Sequence, residues 1–86
     1  MKINKVCILG AGTLGSRIAL QSAISGFEVR VYDINESAFE ASRKMMAKVL
    51  KQIKMDAVII DSILFTKDPM EAVFDADIIS ESVTED

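Results

Sequence analysis

Six residues near the N-terminus, Gly10 to Gly15, carry the pattern Gly-X-Gly-X-X-Gly, which can bind an anion through main-chain groups alone. An apolar run that predicts a strand ending at Leu9 precedes the pattern, and a helical pattern of small residues follows it. We expect Gly10 to supply the backbone angles of the reversal and Gly12 to leave room for a phosphate group. A helix that begins at Gly12 or Thr13 presents unpaired N–H groups and a partial positive charge to such a ligand. The alternative is a glycine turn that only packs a helix on a sheet.

A second apolar run, Phe27 to Tyr32, ends in an acid, Asp33, which follows Gly15 by 18 residues. At the tip of the second strand of such a unit, a carboxylate can accept both hydroxyl hydrogens of an adenosine ribose and repels a 2′-phosphate. The pattern therefore predicts a dinucleotide site for NAD rather than NADP, with Asp33 on the ribose. Asp33 could also cap the next helix, although Asn35 is the better cap candidate.

The composition excludes several classes of function. Half of the 86 residues are hydrophobic and 27% are charged, which is typical of a globular chain, and the net charge is −3 without a basic stripe. We therefore expect neither nucleic acid nor a membrane surface as a partner. The chain has no histidine, the commonest general base and metal ligand, so no catalytic or metal-binding residue is assigned. Its single cysteine, Cys7, suits a reducing, cytoplasmic setting.

Strand and helix patterns alternate along the rest of the chain. After the first strand, the pattern predicts a helix from Thr13 to Ser25, a strand to Tyr32, a helix from Asn35 to about Lys54, a strand from Ile63 to Thr66, a short helix opened by Asp68 and Pro69, and a strand from Ile78 to Val83. The link from 55 to 62 is ambiguous, and we favour a short helix or irregular segment there. On the first helix, the residues expected to face the sheet are Leu14, Ile18, Ala19, Ser22 and Ala23.

This alternation predicts an α/β fold, a Rossmann-type parallel sheet with right-handed crossovers and the strand order 3-2-1-4. The cofactor would lie across the carboxyl ends of strands one and four. The fourth strand would then be an open apolar edge, which is a poor boundary for a finished domain. We therefore expect residues 1–86 to be the N-terminal part of a longer dinucleotide-binding domain.

The run from Lys5 to Gly15 resembles the start of the 3-hydroxyacyl-CoA dehydrogenase family, and so does the run from Tyr32 to Asn35. The C-terminal third is similar to the family's signature around the fourth strand. The segments that carry this second similarity are Glu71-Ala72-Val73, Asp75-Ala76-Asp77 and Glu81-Ser82-Val83-Thr84-Glu85. The resemblance covers nearly the whole chain, and its C-terminal part distinguishes this family from other dinucleotide-binding folds.

The resemblance implies an NAD-dependent oxidoreductase of fatty acid metabolism that transfers a hydride between NAD and a 3-hydroxyacyl-CoA or a related 3-hydroxy acid or ketone. It implies that the diphosphate contacts Gly10, Ala11, Gly12, Thr13, Leu14 and Gly15. It further implies that Asp33 holds the adenosine ribose and that Glu85 contacts the nicotinamide-side ribose. The full-length protein would be a homodimer with a C-terminal helical domain. The family's catalytic His–Glu pair follows the fourth strand, so we expect this chain to bind NAD without turning over a substrate alone.

Two other functions remain open at this stage. A regulatory module that senses NAD could use the same strand, glycine turn, helix and acid without catalysis. A sibling dehydrogenase could act on free hydroxy acids or diketones, because Ser82 stands where the family usually has alanine and the 55–62 link is shorter than the family's helical excursion. FAD is less favoured, since flavin sites more often have glutamate at the tip of the second strand.

Overall fold

The computed structural model describes residues 3–81, which form one parallel sheet with helices on both faces. In chain order the elements are β1 (Lys5–Leu9), α1 (Thr13–Ile24), β2 (Glu28–Tyr32), α2 (Ser37–Gln52), a 3₁₀ helix (Ala57–Ser62), β3 (Ile63–Thr66), α3 (Pro69–Val73) and β4 (Ile78–Glu81). The sheet has the order β3-β2-β1-β4, and every pair of neighbouring strands is parallel. The predicted Rossmann-type fold and its strand order are confirmed.

Local signals in the sequence place most of the element boundaries. The ambiguous link forms the 3₁₀ helix, and the carboxylate of Asp56 accepts the N–H of Val58 at 2.9 Å to begin it. At the start of α3, the carboxylate of Asp68 accepts the N–H of Met70 at 3.0 Å, and Pro69 takes the first helical position. The predicted end of the fourth strand, Ser82 and Val83, lies outside the described residues.

The core lies between one face of the sheet and the helices α1 and α2. Because side chains alternate along a strand, the same face receives every second residue of each strand. The fully or almost fully buried side chains of this core include Val6, Ile8, Val29 and Val31 from the sheet and Phe39, Met46 and Leu50 from α2. β4 forms one edge of the sheet, and its two isoleucines, Ile78 and Ile79, are exposed, as the sequence predicts.

The buried stripe of α1 differs from the one predicted. Leu14 points to solvent with 62% of its surface exposed, and Ile18, Ser22 and Ala23 are only half-buried. The buried residues of the helix are Gly15, Ser16, Ala19 and Leu20. The expectation for Leu14 was wrong because α1 turns the face that carries Gly15 and Ala19 toward the interior, and Leu14 lies outside that face.

On the opposite face of the sheet, Arg30 of β2 is buried by the turn that joins α3 to β4. Its guanidinium donates to the carboxylates of Glu28 and Asp75, both at 2.9 Å, and to the carbonyl of Phe74. Lys5 donates to the other oxygen of Asp75 at 2.5 Å. The hydrogen bonds from Lys5 and Arg30 hold the pKa of the Asp75 carboxyl below its usual value. This network fastens the α3–β4 turn to the sheet.

Asp77 fixes the beginning of β4 beside the beginning of β1. One carboxylate oxygen accepts the N–H groups of Asn4 and Lys5, both at 2.9 Å, and the N–H of Asp77 donates to the carbonyl of Lys5 at 2.8 Å. The two backbone hydrogen bonds lower the pKa of the Asp77 carboxyl below its ordinary value of 3.8. The ionised side chain therefore stabilises the fold more than the protonated side chain does.

Replacing Asp77 with asparagine is expected to make the chain less stable at neutral pH and to weaken its dependence on acid. Because the folded-state pKa is lowered, the stabilisation is complete above 3.8 and is lost as the pH falls through the folded value. Urea denaturation of wild type and Asp77→Asn between pH 7 and pH 2 measures this. The difference between the urea midpoints of wild type and Asp77→Asn should shrink as the pH falls toward 2.

Asp61→Asn is the matched control, because Asp61 is exposed and its carboxylate has no hydrogen-bond partner within residues 3–81. Its midpoint should follow wild type at every pH. A gap between wild type and Asp77→Asn that stays constant from pH 7 to pH 2 would contradict the assigned role of the Asp77 charge.

Candidate cofactor-binding site

The turn between β1 and α1 contains glycine at positions 10 and 12, and the backbone conformation requires it only at position 10. Gly10 has φ +116°, a conformation that L-residues rarely adopt, and its N–H donates to the carbonyl of Tyr32 at 2.7 Å. Gly12 has φ −72° and ψ −172°, which is extended backbone open to any residue. The backbone conformation therefore does not require glycine at position 12, where the absence of a side chain leaves room for a ligand to approach the main chain.

The first turn of α1 offers several donors without acceptors. Gly12 is the N-cap residue, no side chain caps the helix, and no acid lies in its first turn. The first intrahelical bond runs from the N–H of Ser16 to the carbonyl of Gly12 at 2.8 Å. The N–H groups of Gly12, Thr13 and Leu14 have no acceptor among residues 3–81. Together with the positive end of the helix dipole, these amides fit a diphosphate group.

Asp33 lies directly against the glycine turn. Its Oδ2 accepts the N–H of Ala11 at 2.9 Å, and its Oδ1 accepts the N–H of Asn35 at 2.8 Å. A carboxylate has about four acceptor positions, so it can still accept ribose hydroxyls. The N-cap residue of α2 is Glu36, without a side-chain cap, whereas the Oδ1 of Asn35 accepts the N–H of Ser37 at 3.1 Å and its hydroxyl at 2.7 Å just before the helix. Asp33 is thus left available for a ligand.

Behind the turn lies a pair of buried hydroxyls that the sequence interpretation missed. Ser16 of α1 and Ser42 of α2 are 1% and 2% exposed, and their Oγ atoms are 2.6 Å apart. Ser16 Oγ also donates to the carbonyl of Ala11 at 3.1 Å. The burial of Ser42 could have been predicted from the sequence, because Ser42 falls between Phe39 and Met46 on the apolar stripe of α2. A polar residue on such a stripe must find a partner inside the fold.

A shallow cavity of about 200 Å³ opens beside the turn, between the start of α1 and the first half of α2. The turn contributes Ala11, Gly12 and Thr13, and α2 contributes small side chains such as Ala38 and Ala41. The site therefore lies at the carboxyl ends of β1 and β2, where the chain leaves the sheet. Ligands of open parallel sheets bind at this edge.

The structure brings together seven of the eight residues that the sequence proposed for the cofactor. Gly10, Ala11 and Gly12 form the turn, Thr13 and Leu14 are exposed on the first helical turn, Gly15 is buried beneath them, and Asp33 contacts Ala11. Glu85 lies outside the described residues. Among the described residues 3–81, no group of three or more metal-ligating side chains could hold a metal ion. No helix in that part of the chain is long and apolar enough to cross a membrane.

The parallel sheet, the glycine turn with free amides and the acid at the tip of β2 define a Rossmann-class dinucleotide-binding domain. Residues 5–86 match the family described as the NAD-binding domain of 3-hydroxyacyl-CoA dehydrogenase. The chain belongs to this family, and its cofactor is NAD. The resemblance seen in the sequence and the cofactor predicted from it are confirmed.

Individual relatives agree with the family match. The chain is 35% identical to a probable 3-hydroxyacyl-CoA dehydrogenase of Caenorhabditis elegans over 98% of its own length, and 33% identical to a probable 3-hydroxybutyryl-CoA dehydrogenase of Bacillus subtilis over 99%. It covers 31% and 32% of those two relatives. The solved structure of a diketoreductase that acts on dicarbonyl compounds matches all of this chain, with a TM-score of 0.86 and 37% sequence identity. The match covers 34% of the diketoreductase chain. The chain thus spans about a third of these relatives.

Alanine at the two glycines should separate folding from binding. We expect Gly10→Ala to cost about 1–3 kcal/mol of unfolding free energy, because alanine is strained at φ +116°. Gly12→Ala should change stability by less than about 0.5 kcal/mol, since its backbone is unstrained. It should nevertheless weaken NAD binding, because the new methyl group stands over the free amides. Urea denaturation and calorimetric titration with NAD measure the two effects.

Each glycine variant serves as the control for the other. If Gly12→Ala bound NAD as tightly as wild type, a diphosphate would not lie against this turn. If Gly10→Ala were as stable as wild type, the conformation of the turn would have to differ from the one described.

Proposed function

We propose that this chain is the NAD-binding part of an oxidoreductase that transfers a hydride between NAD and a 3-hydroxyacyl-CoA or a related 3-hydroxy acid or ketone. The observation that carries the proposal is the contact between the Asp33 carboxylate and the Ala11 N–H, beside the unpaired amides of α1. One ligand with a diphosphate and a ribose can occupy both groups. Membership of the dehydrogenase family supplies the reaction class.

Each residue of the site would have a separate task. The Ala11 N–H is occupied by Asp33, so the donors to the diphosphate are the amides of Gly12, Thr13 and Leu14. Asp33 would accept the adenosine ribose hydroxyls, and its charge would repel the 2′-phosphate of NADP. The nicotinamide ring of a bound NAD would accept the hydride, or donate it as NADH, and Glu85 is proposed to contact the ribose on that side. The chain has no histidine, so none of its residues is assigned to move the substrate's proton.

The substrate class has two candidates. The relatives in Caenorhabditis elegans and Bacillus subtilis are named as a probable 3-hydroxyacyl-CoA dehydrogenase and a probable 3-hydroxybutyryl-CoA dehydrogenase, which favours a CoA thioester. The 37% identity to the solved structure of a diketoreductase favours a free dicarbonyl compound or hydroxy acid instead. Ser82 and the short 3₁₀ link in place of a longer helical excursion point the same way. By analogy with the family, we further propose that the whole protein is a cytoplasmic homodimer.

Neutralising Asp33 should relax the choice between the two nicotinamide cofactors. Wild type is expected to bind NAD at least about tenfold more tightly than NADP, a difference of about 1.4 kcal/mol. In Asp33→Asn the affinity for NAD should fall and that for NADP should rise, because the acceptor is weakened and the repulsion is removed. Calorimetric titration of both cofactors into both proteins measures the change.

Asp56→Asn is the matched control, because Asp56 also accepts a backbone N–H through its carboxylate but lies in the link before β3. Its cofactor preference should equal that of wild type. An Asp33→Asn protein that still rejects NADP while keeping its fold would remove Asp33 from the ribose site.

Kinetics on the protein expressed from its whole reading frame should distinguish the two substrate classes. If the family resemblance sets the substrate, kcat/KM for acetoacetyl-CoA will exceed that for a free β-diketone by at least about tenfold, while the reverse ranking would identify a diketoreductase-like enzyme. The assay follows NADH at 340 nm with both substrates. Tight NAD binding without turnover of either substrate would contradict the dehydrogenase proposal and favour a regulatory NAD-binding module.

A further inference from the structure

We propose that Ser42 and Ser16 form a hydroxyl relay that orients the peptide between Ala11 and Gly12 and so aims the N–H of Gly12 at the cofactor's diphosphate. The two serines border the cavity beside the turn, and the role assigned to them is that of positioning residues, which act on the cofactor through the Ala11–Gly12 peptide. This inference rests on the proposed function, in which the diphosphate lies against the first turn of α1.

The direction of the relay follows from its hydrogen bonds. Ser16 has one hydroxyl hydrogen, which it donates to the carbonyl of Ala11 at 3.1 Å. The 2.6 Å contact between the two Oγ atoms therefore needs Ser42 as the donor. The chain of bonds runs from α2 through α1 to the carbonyl of Ala11. Both serines are almost completely buried, at 1% and 2% exposure, so each hydroxyl finds its hydrogen-bond partner inside the fold.

The relay completes the fixation of the two peptide units that meet at Ala11. The N–H of Ala11 is held by Asp33 at 2.9 Å, and its carbonyl is held by Ser16. Because the peptide from Ala11 to Gly12 is trans and planar, its carbonyl and the N–H of Gly12 point in opposite directions. Holding the carbonyl toward Ser16 therefore sets the N–H of Gly12 on the opposite side, where it has no acceptor among residues 3–81.

Glycine at position 12 makes such a holder necessary. A glycine has more backbone freedom than any other residue, and the turn needs it there for ligand access rather than for its backbone angles. Without the hydroxyl of Ser16, the carbonyl of Ala11 could accept the N–H of Gly15 and extend α1 backward by one residue. That rearrangement would rotate the peptide and change the direction of the N–H of Gly12 relative to those of Thr13 and Leu14.

Ser22 shows what a serine on the same helix does without such a role. Its hydroxyl donates to the carbonyl of Ile18 at 2.8 Å, four residues earlier within α1. A serine within a helix commonly makes this hydrogen bond to the carbonyl four residues earlier. Ser42 differs, since its hydroxyl crosses to a second helix and reaches the glycine turn through Ser16. The arrangement couples the position of α2 to the geometry of the turn.

The test compares Ser16→Ala, Ser42→Ala and the double variant with Ser22→Ala as the matched control. NAD and ADP, which carry the diphosphate, are titrated by calorimetry, and adenosine, which lacks it, by ¹H–¹⁵N NMR. Ser16→Ala should weaken NAD and ADP by about 3- to 10-fold, the worth of one net hydrogen bond. Ser42→Ala should weaken them less, and adenosine binding should stay unchanged in every variant.

The double variant and the controls decide the proposal. Ser42→Ala should have no additional effect in the Ser16→Ala background, because the relay acts through Ser16. Equal losses for adenosine and ADP, or a loss in Ser22→Ala as large as that in Ser16→Ala, would overturn the relay and indicate general destabilisation. Wild-type affinity of Ser16→Ala for NAD would overturn it while leaving the proposed function intact. A wild-type chain that binds neither NAD nor ADP would overturn both.

Discussion

The hydrogen bond from the Ala11 N–H to the Asp33 carboxylate is the interaction on which the site depends. It joins the turn after β1 to the tip of β2, 22 residues apart in the chain, at 2.9 Å. Without it, the glycine turn and the acid would be two unrelated loops at the same edge of the sheet. With it, they form one continuous surface of free amides followed by a carboxylate. The parallel register of β1 and β2, which pairs Leu9 with Tyr32, brings the two segments to the same height.

Much of this arrangement could be predicted from the sequence because it depends on local physical requirements. A residue that needs φ near +116° is almost always glycine, so Gly10 marked the turn. Asp68 followed by Pro69 likewise marked the start of α3, because aspartate is favoured at the N-cap and proline at the first helical position. The strand order followed from the alternation of strands and helices and the handedness of their connections.

Other features depended on contacts between distant segments and could not be predicted in the same way. The sequence gives no sign of how far α1 rotates on the sheet, so Leu14 was assigned to the buried side although it is exposed. Arg30 reads as the solvent-facing position of an alternating strand, yet Asp75 and the Phe74 carbonyl from the α3–β4 turn bury it. The bond between Ser16 and Ser42 likewise required knowledge of how two helices pack.

The ordinary backbone angles of Gly12 have a consequence for how this family can diverge. Backbone strain constrains position 10, where almost any side chain would be strained, but it does not constrain position 12. A descendant that no longer needs its nucleotide could therefore accumulate larger residues at the second glycine and still keep an intact sheet and helices. In distant homologues, the identity of that residue would be a better guide to retained cofactor use than overall similarity of shape.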